Sequence, residues 1–116
     1  KVLYLALRGF LELCVSGPVY AEYEEVLQRP RFRRIEASIN PTLQLIREIG
    51  LWVRPTESVR ICKDPDDDIF LECAQEARAS WLVTGNVSHF PSTWQGTEVV
   101  TPRQFLDRLV AEAKQQ

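Results

Sequence analysis

The chain has 116 residues, of which 26% are charged, and a net charge of −2. This length predicts a single domain that spans residues 1–116 and is large enough to bury a hydrophobic core. Its apolar runs are too short to cross a bilayer and no signal-peptide pattern opens it, so a membrane protein is disfavoured. Three cysteines without a CxxC pair and a single histidine disfavour a structural zinc site and lead us to expect reduced thiols in a cytoplasm.

Helices and strands alternate along the predicted chain. After the end of a helix at 2–9, the predicted strands are short apolar runs at 11–16, 51–55, 80–85 and 97–101. The predicted helices cover 18–28, 31–37, 40–49, 64–79 and 102–114. This order predicts an α/β fold with a parallel sheet covered on both faces. Ligands of such sheets bind beyond the carboxyl ends of the strands.

The start of the helix at 64–79 is crowded with aspartates. Asp64 fits the N-cap, Pro65 the first helical position, and Asp66 and Asp67 the first turn. The helix dipole stabilises carboxylates there by about 0.3–1 kcal/mol each. A plain helix start is therefore one explanation of the cluster.

The direction of Asp67 supports a second explanation. It lies three residues before Phe70 and seven before Ala74, so it projects along the predicted apolar stripe of Phe70, Cys73, Ala74 and Ala77. Asp68 is instead predicted to face solvent. A carboxylate that points along a buried face needs a partner.

A second acid has a similar position on another helix. Glu22 lies at the margin of the apolar stripe of the helix at 18–28, although an exposed helical glutamate is the simpler interpretation of this residue alone. Both helices begin at carboxyl ends of strands, so we expect Glu22 and Asp67 to converge at one edge of the sheet. Convergent carboxylates suit a hard divalent cation such as Mg²⁺ or Mn²⁺.

Two other acidic sites fit the sequence poorly. A calcium-binding loop that begins at Asp64 would need glycine at its sixth position, which is Ile69. A phosphoacceptor receiver domain would need a lysine after a late strand, and neither Lys63 nor Lys114 follows a strand.

Three stretches together resemble the PIN-domain family, and more specifically its prokaryotic toxin-component branch. They are SGPVYAEYEEVLQRPRF (16–32), DPDDDIFLECAQEARASWLVTGNVSHFP (64–91) and VVTPRQFLDRL (99–109). The resemblance implies a Rossmann-like three-layer α/β/α sandwich and a metal-dependent ribonuclease that uses Mg²⁺ or Mn²⁺. It further implies an RNA substrate, a small antitoxin protein as partner, and a homodimer.

The same resemblance assigns roles to four residues. Glu22 and Asp67 match two metal-binding acids of the family, and the bound metal would activate water and neutralise the scissile phosphate. The stretch TGNVSHF places Asn86 and His89 at two candidate positions of a fourth acid. Asn86 would orient water or substrate, and His89 would hold a metal-bound water or a phosphate unless it is structural. Because neither is acidic, a non-catalytic RNA- or protein-binding module with a degenerate site is the alternative function.

The first acid of the family lies on an opening strand that has no counterpart in this sequence. The chain contains no methionine, so we expect that strand upstream of Lys1. On this interpretation the PIN-like domain is N-terminally incomplete, and the chain as given is expected to be weak or inactive as a nuclease.

A basic segment, QRPRFRR, provides a candidate surface for RNA. Its arginines are Arg29, Arg31, Arg33 and Arg34, with Phe32 among them. Arginine binds phosphates and phenylalanine can stack on bases. A solvated connector and a surface for an acidic partner are the alternative interpretations.

Overall fold

The computed structural model describes residues 12–114, with the backbone alone for residues 112 and 113. The predicted helix end at 2–9 and the first residue of the predicted strand at 11–16 lie outside this range. The chain divides between Arg54 and Pro55 into two compact units, and each unit is described by itself. None of the helices in the described range combines the length and the apolar character needed to span a bilayer.

In its described part, residues 12–54, the first unit contains a two-stranded parallel sheet and two α-helices. Its elements in chain order are strand β1 (Cys14–Val15), helix α1 (Gly17–Leu27), a 3-10 helix (Pro30–Ile35), helix α2 (Glu36–Ile49) and strand β2 (Leu51–Trp52). Cys14 pairs with Leu51 and Val15 with Trp52, in parallel. The parallel pairing is confirmed, although both strands are shorter than predicted.

Helix α1 begins where its cap predicts. The Oγ of Ser16 accepts a hydrogen bond from the backbone N–H of Val19 at 3.2 Å, and Pro18 stands in the first turn, where its missing N–H has no helical partner to lose. Ser16 and Val19 are both buried. The cap therefore fixes the junction between β1 and α1.

Helix α2 starts earlier than predicted and includes Pro41, which was expected to open a separate helix. Ile39, Leu43 and Ile46 are buried and lie four and three residues apart, so they form one apolar stripe across the proline. Pro41 forfeits the hydrogen bond that its N–H would have donated to the carbonyl four residues before it, and its ring crowds that carbonyl. Continuous burial thus outweighs one lost backbone bond.

The turn from α2 into β2 requires glycine. A Cβ added at Gly50 would lie 2.7 Å from the carbonyl oxygen of Ile46 and 3.0 Å from Cγ2 of Val15. Only a residue without a side chain fits where the chain approaches Ile46 and Val15 this closely.

The second unit contains a three-stranded sheet, and along the chain its strands lie between two α-helices. Its elements are helix α3 (Pro65–Ala77), strand β3 (Trp81–Val83), a short 3-10 helix (Val87–His89), strands β4 (Thr93–Trp94) and β5 (Thr97–Val100), and helix α4 (Pro102–Lys114). The strand order is β3-β5-β4, with β3 parallel and β4 antiparallel to β5. The α/β class with a parallel pair is confirmed, and the three-layer arrangement stays a prediction.

Strand β4 was not predicted. It joins β5 through Gln95 and Gly96, whose φ angles are +48° and +87°, as a two-residue hairpin turn requires. The indole Nε1 of Trp94 donates to Oε1 of Gln75 at 2.9 Å. This bond ties the hairpin to α3.

The core of the second unit is formed by α3, β5 and α4. Its buried apolar side chains include Leu71, Cys73, Ala74, Val99, Val100 and Phe105. The ring of Trp81 meets that of Phe105 edge-on, with centroids 5.3 Å apart. The buried side chains of α3 within this core hold the helix that carries the aspartate cluster.

Three carboxylates spaced four residues apart on α3 bind the preceding segment, residues 56–62. Oε1 of Glu76 accepts from the backbone N–H and the hydroxyl of Thr56, both at 3.1 Å. Oε2 of Glu72 accepts from the N–H of Val59 at 2.8 Å. Oδ1 of Asp68 accepts from the N–H groups of residues 61 and 62, at 3.2 and 2.8 Å. We call Asp68, Glu72 and Glu76 the acid ladder.

The acid ladder corrects the prediction for Asp68. That residue was expected to face solvent, but it is only 7% exposed. The buried residues of α3 are Asp68, Leu71, Cys73 and Ala74, whereas Phe70 and Ala77 are half-buried. The reason is that residues 56–62 cover this face of the helix, and their backbone N–H groups need acceptors once they leave water.

Removal of the Asp68 carboxylate should destabilise the protein. In the Asp68→Ala variant two backbone N–H groups lose their acceptor, so the free energy of unfolding should fall by about 1–3 kcal/mol. Urea unfolding measures the change. Asp66→Ala is the matched control, because Asp66 is exposed in the same turn and its loss should cost less than about 1 kcal/mol. Equal losses in the two variants would contradict the role assigned to Asp68.

The contribution of Asp68 should also depend on pH in a defined direction. Burial alone would raise the pKa of Asp68, but hydrogen bonds from the backbone and thiol of Cys62 and from the backbone of Ile61 lower it below its ordinary value. Its stabilisation is therefore present above the unfolded pKa of about 3.9 and is lost as the pH falls through the lower folded value. The stability gap between the native chain and Asp68→Asn should shrink below about pH 4. A gap that stays constant down to about pH 2 would contradict this linkage.

Candidate functional site

The aspartate cluster forms the capped start of α3, as predicted. Oδ1 of Asp64 accepts from the N–H of Asp66 at 2.9 Å, and Pro65 opens the helix. The N–H of Asp67 donates to the carbonyl of Asp64 at 3.0 Å. This first turn holds the backbone of Asp67 while its side chain remains 21% exposed.

The structure brings two of the predicted site residues together, Asp67 and His89. Nδ1 of His89 lies 3.4 Å from Oδ2 of Asp67, and the imidazole is 54% exposed. His89 belongs to the short 3-10 helix that follows β3, so α3 and the segment after a parallel strand contribute one side chain each. This position beyond the carboxyl end of β3 is where the fold class predicts a ligand site.

Asn86 contributes to the same site through its backbone. Its carbonyl accepts from the N–H of His89 at 2.9 Å, and its N–H donates to Oγ1 of Thr84 at 3.0 Å. The N–H of Thr84 in turn donates to the carbonyl of Val100 in β5 at 2.9 Å. A continuous chain of hydrogen bonds thus connects the sheet to His89, while the side chain of Asn86 is exposed.

The electrostatic environment of Asp67 opposes its negative charge. Burial is the main cause that raises its pKa, and the carboxylates of Asp64, Asp66 and Asp68 add to it, while His89 acts in the opposite sense. The net direction is upward, so the histidine does not fully compensate the other effects. A cation at this carboxylate would relieve both burial and repulsion.

The donor chemistry around Asp67 fits a hard divalent cation. Carboxylate oxygens are the ligands that Mg²⁺ and Mn²⁺ prefer, and the raised pKa of Asp67 marks a place where added positive charge is stabilising. Within residues 12–114, however, no three His, Cys, Asp or Glu side chains are grouped so as to hold a metal. Asp67 would need oxygen donors from further residues, water or substrate.

Glu22 lies in the first unit, on α1. Its side chain is half-buried while Glu24 and Glu25 are exposed, which agrees with the predicted position at the margin of the apolar stripe. Its convergence with Asp67 stays a prediction.

The basic segment forms the 3-10 helix Pro30–Ile35 and its N-cap, Arg29. Its arginines are exposed but differ in their surroundings. Arg29 pairs with Oε2 of Glu25 at 2.8 Å, and this hydrogen bond is the main reason that its pKa is raised. The guanidinium of Arg31 lies 4.9 Å from the ring centroid of Phe32. Arg33 and Arg34 stand in the last turn.

The contribution of Cys62 was not foreseen from the sequence. Its pKa is raised to about 12, first by burial and then by the hydrogen bond to Asp68 and the charges of the aspartate cluster. The thiol is thus kept protonated and donates to a member of the acid ladder. The i, i+4, i+8 spacing of Asp68, Glu72 and Glu76 shows in the sequence that these acids share one face of the helix. The segment that they bind, residues 56–62, has no periodic sequence pattern, so the sequence does not show that it packs on that face.

Asp67 and Asp68 should respond to neutralisation with opposite signs. Because the folded pKa of Asp67 is raised, its ionised form costs stability at neutral pH, and Asp67→Asn should increase the free energy of unfolding there. The gain should vanish as the pH falls below the unfolded value of about 3.9, where both states carry the protonated acid. Urea unfolding of both asparagine variants across this range is the measurement. A loss of stability in Asp67→Asn at neutral pH would show that the His89 contact outweighs burial and repulsion.

Comparison with known families places this chain beside one described family. The model of the PIN domain matches residues 1–88 of the 116, a range that includes Glu22, Asp67 and Asn86 and ends one residue before His89. Searches of curated proteins and of solved structures returned no significant match.

Proposed function

Because the chain belongs to the PIN-domain family, we propose that it is a metal-dependent endoribonuclease that hydrolyses RNA phosphodiester bonds. PIN domains are generally nucleases and generally use divalent metals. The observation that carries the proposal is Asp67, a carboxylate at the start of α3 whose pKa is raised by burial and neighbouring carboxylates. Such a group costs stability unless a cation or substrate is bound, which is common at functional sites.

Asp67 and Glu22 are the residues that would hold Mg²⁺ or Mn²⁺. When bound, the metal supplies positive charge for the scissile phosphate and lowers the pKa of a coordinated water. Asp67 is held in place by the first turn of α3 and by its contact with His89. His89, which is half exposed, is positioned to donate a hydrogen bond to a phosphate oxygen, and the exposed amide of Asn86 would orient water or substrate.

The basic segment would bind the RNA backbone. A protein of net charge −2 needs local cations to attract a polyanion, and Arg31, Arg33 and Arg34 are exposed. Arg29 should contribute less because Glu25 already neutralises it. This binding should weaken as salt concentration rises, since each phosphate contact releases counterions.

The biological role that we propose is that of the toxin in a toxin–antitoxin pair in the cytoplasm. It is supported by the resemblance of the three sequence stretches to the toxin-component branch of the family. The partners in this proposal are a small antitoxin protein and a second copy of the chain. Expression of the full reading frame, with and without its neighbouring gene, tests it through growth arrest and RNA cleavage.

Metal titration and cleavage together test the catalytic part. Mn²⁺ should raise the melting temperature of the full-length protein, and both Asp67→Asn and Glu22→Gln should remove that rise. Glu24→Gln, an exposed change on the same helix, should leave it intact. His89→Ala should lower the cleavage of single-stranded RNA by about 10- to 100-fold, as expected for a residue that contacts a metal ligand.

The result of this test also decides between the two candidate functions. A full-length protein that binds RNA but neither responds to Mn²⁺ nor cleaves would be the non-catalytic binding module. Two observations support that alternative. Asn86 and His89 stand where the family has an acid, and within residues 12–114 no three His, Cys, Asp or Glu side chains are grouped so as to hold a metal.

A further inference from the structure

An exposed aromatic cluster lies in the first unit. Trp52, in β2, is 44% exposed although tryptophan is normally well buried. Its indole Nε1 donates to the carbonyl of Arg47 at 3.1 Å. Its ring is 5.5 Å from that of Tyr20, tilted by 49°, and the hydroxyl of Tyr20 donates to the carbonyl of Leu43 at 3.2 Å. Each ring is thus tied to the backbone of α2 by one hydrogen bond.

A cation lies beside these rings. The guanidinium of Arg47 is 6.0 Å from the ring centroid of Tyr20, and Arg47 is exposed near the end of α2. The cluster therefore combines an exposed aromatic surface, held by hydrogen bonds, with an adjacent exposed positive charge. Because the rings are already held, little conformational entropy is lost when a flat ligand covers Trp52.

These features match an unpaired nucleotide better than an apolar peptide. A base stacks on a fixed aromatic face and its phosphate pairs with an adjacent arginine, which is how single strands are bound without base-specific hydrogen bonds. The same unit carries the exposed arginines of the Pro30–Ile35 helix, which directly precedes α2. Trp52 follows the other end of α2, and its 14 residues span about 20 Å. One strand of several nucleotides would be long enough to reach both ends.

We propose that Trp52, packed against Tyr20 and flanked by Arg47, is a stacking platform for an unpaired base of single-stranded RNA. The choice of RNA rests on the proposed function. The platform itself rests on the two anchored rings and the adjacent cation, and it requires neither metal nor Asp67.

Binding to matched oligonucleotides tests the platform. The probes are an oligouridylate of about twelve nucleotides, within the site sizes of single-strand binders, and an abasic oligomer of the same backbone. Fluorescence anisotropy in EDTA excludes cleavage. The native chain should bind the oligouridylate more tightly than the abasic probe, and Trp52→Leu should lose about 5- to 140-fold in affinity for the oligouridylate alone.

Two variants separate stacking from general apolar contact and from misfolding. Trp52→Phe keeps a ring and should retain most of the preference for bases. Leu51→Ala removes a neighbouring exposed apolar side chain and should leave the preference unchanged. Unfolding curves of each variant confirm that it is folded at the assay temperature.

The proposal is overturned if the folded Trp52→Leu variant keeps the preference for the oligouridylate, or if the native chain shows none. If RNA is cleaved while no base preference depends on Trp52, the platform is wrong and the nuclease proposal stands. If the preference depends on Trp52 while the full-length protein shows neither cleavage nor stabilisation by Mn²⁺, the platform stands and the nuclease proposal fails.

Discussion

A carboxylate that is removed from water needs a hydrogen-bond donor, and this requirement determines how helix α3 is held. Asp68 meets it with two backbone N–H groups and the thiol of Cys62, and its pKa is lowered. Asp67, the adjacent residue, has a protonatable histidine at 3.4 Å and three neighbouring aspartates, and its pKa is raised. The two acids are adjacent in the helix, yet ionised Asp68 stabilises the fold whereas ionised Asp67 destabilises it.

The two acids depend on each other through the same turn. The acid ladder holds residues 56–62 against α3 and keeps the start of the helix in place, which in turn fixes the backbone of Asp67. A site that is unfavourable in the absence of a ligand has to be held by its surroundings, because it would otherwise relax by moving into water. The buried, hydrogen-bonded Asp68 supplies that support directly next to the half-buried Asp67, which we propose to bind the metal.

Local signals were sufficient to predict most of the helices. Asp64 forms the side-chain cap of α3 and Pro102 opens α4 as predicted, because these determinants lie within a few residues of the ends that they define. The cap that Ser16 provides for α1 was not predicted. The start of α2 was predicted wrongly because a proline was weighed more heavily than an apolar stripe that crosses it. Strand β4 was missed because its turn uses Gln95 where asparagine or aspartate is the usual signal.

The site was predictable in part, and the limit has a physical origin. Asp67 and His89 could be proposed from the family motifs, and the structure places their side chains in contact. The buried face of α3 differs by one residue from the predicted face, because a segment without regular structure covers Asp68 and Glu72 and periodicity within a helix cannot reveal what packs on it.

The aromatic cluster of Tyr20 and Trp52 could not be predicted from the sequence for the same reason. Its rings come from a helix and a strand about thirty residues apart, and they meet because β1 and β2 pair in parallel beside α2. Contacts of this kind depend on the fold and not on any local pattern, which is why the aromatic cluster emerges from the structure, whereas the arginines of the basic segment were predicted from the sequence.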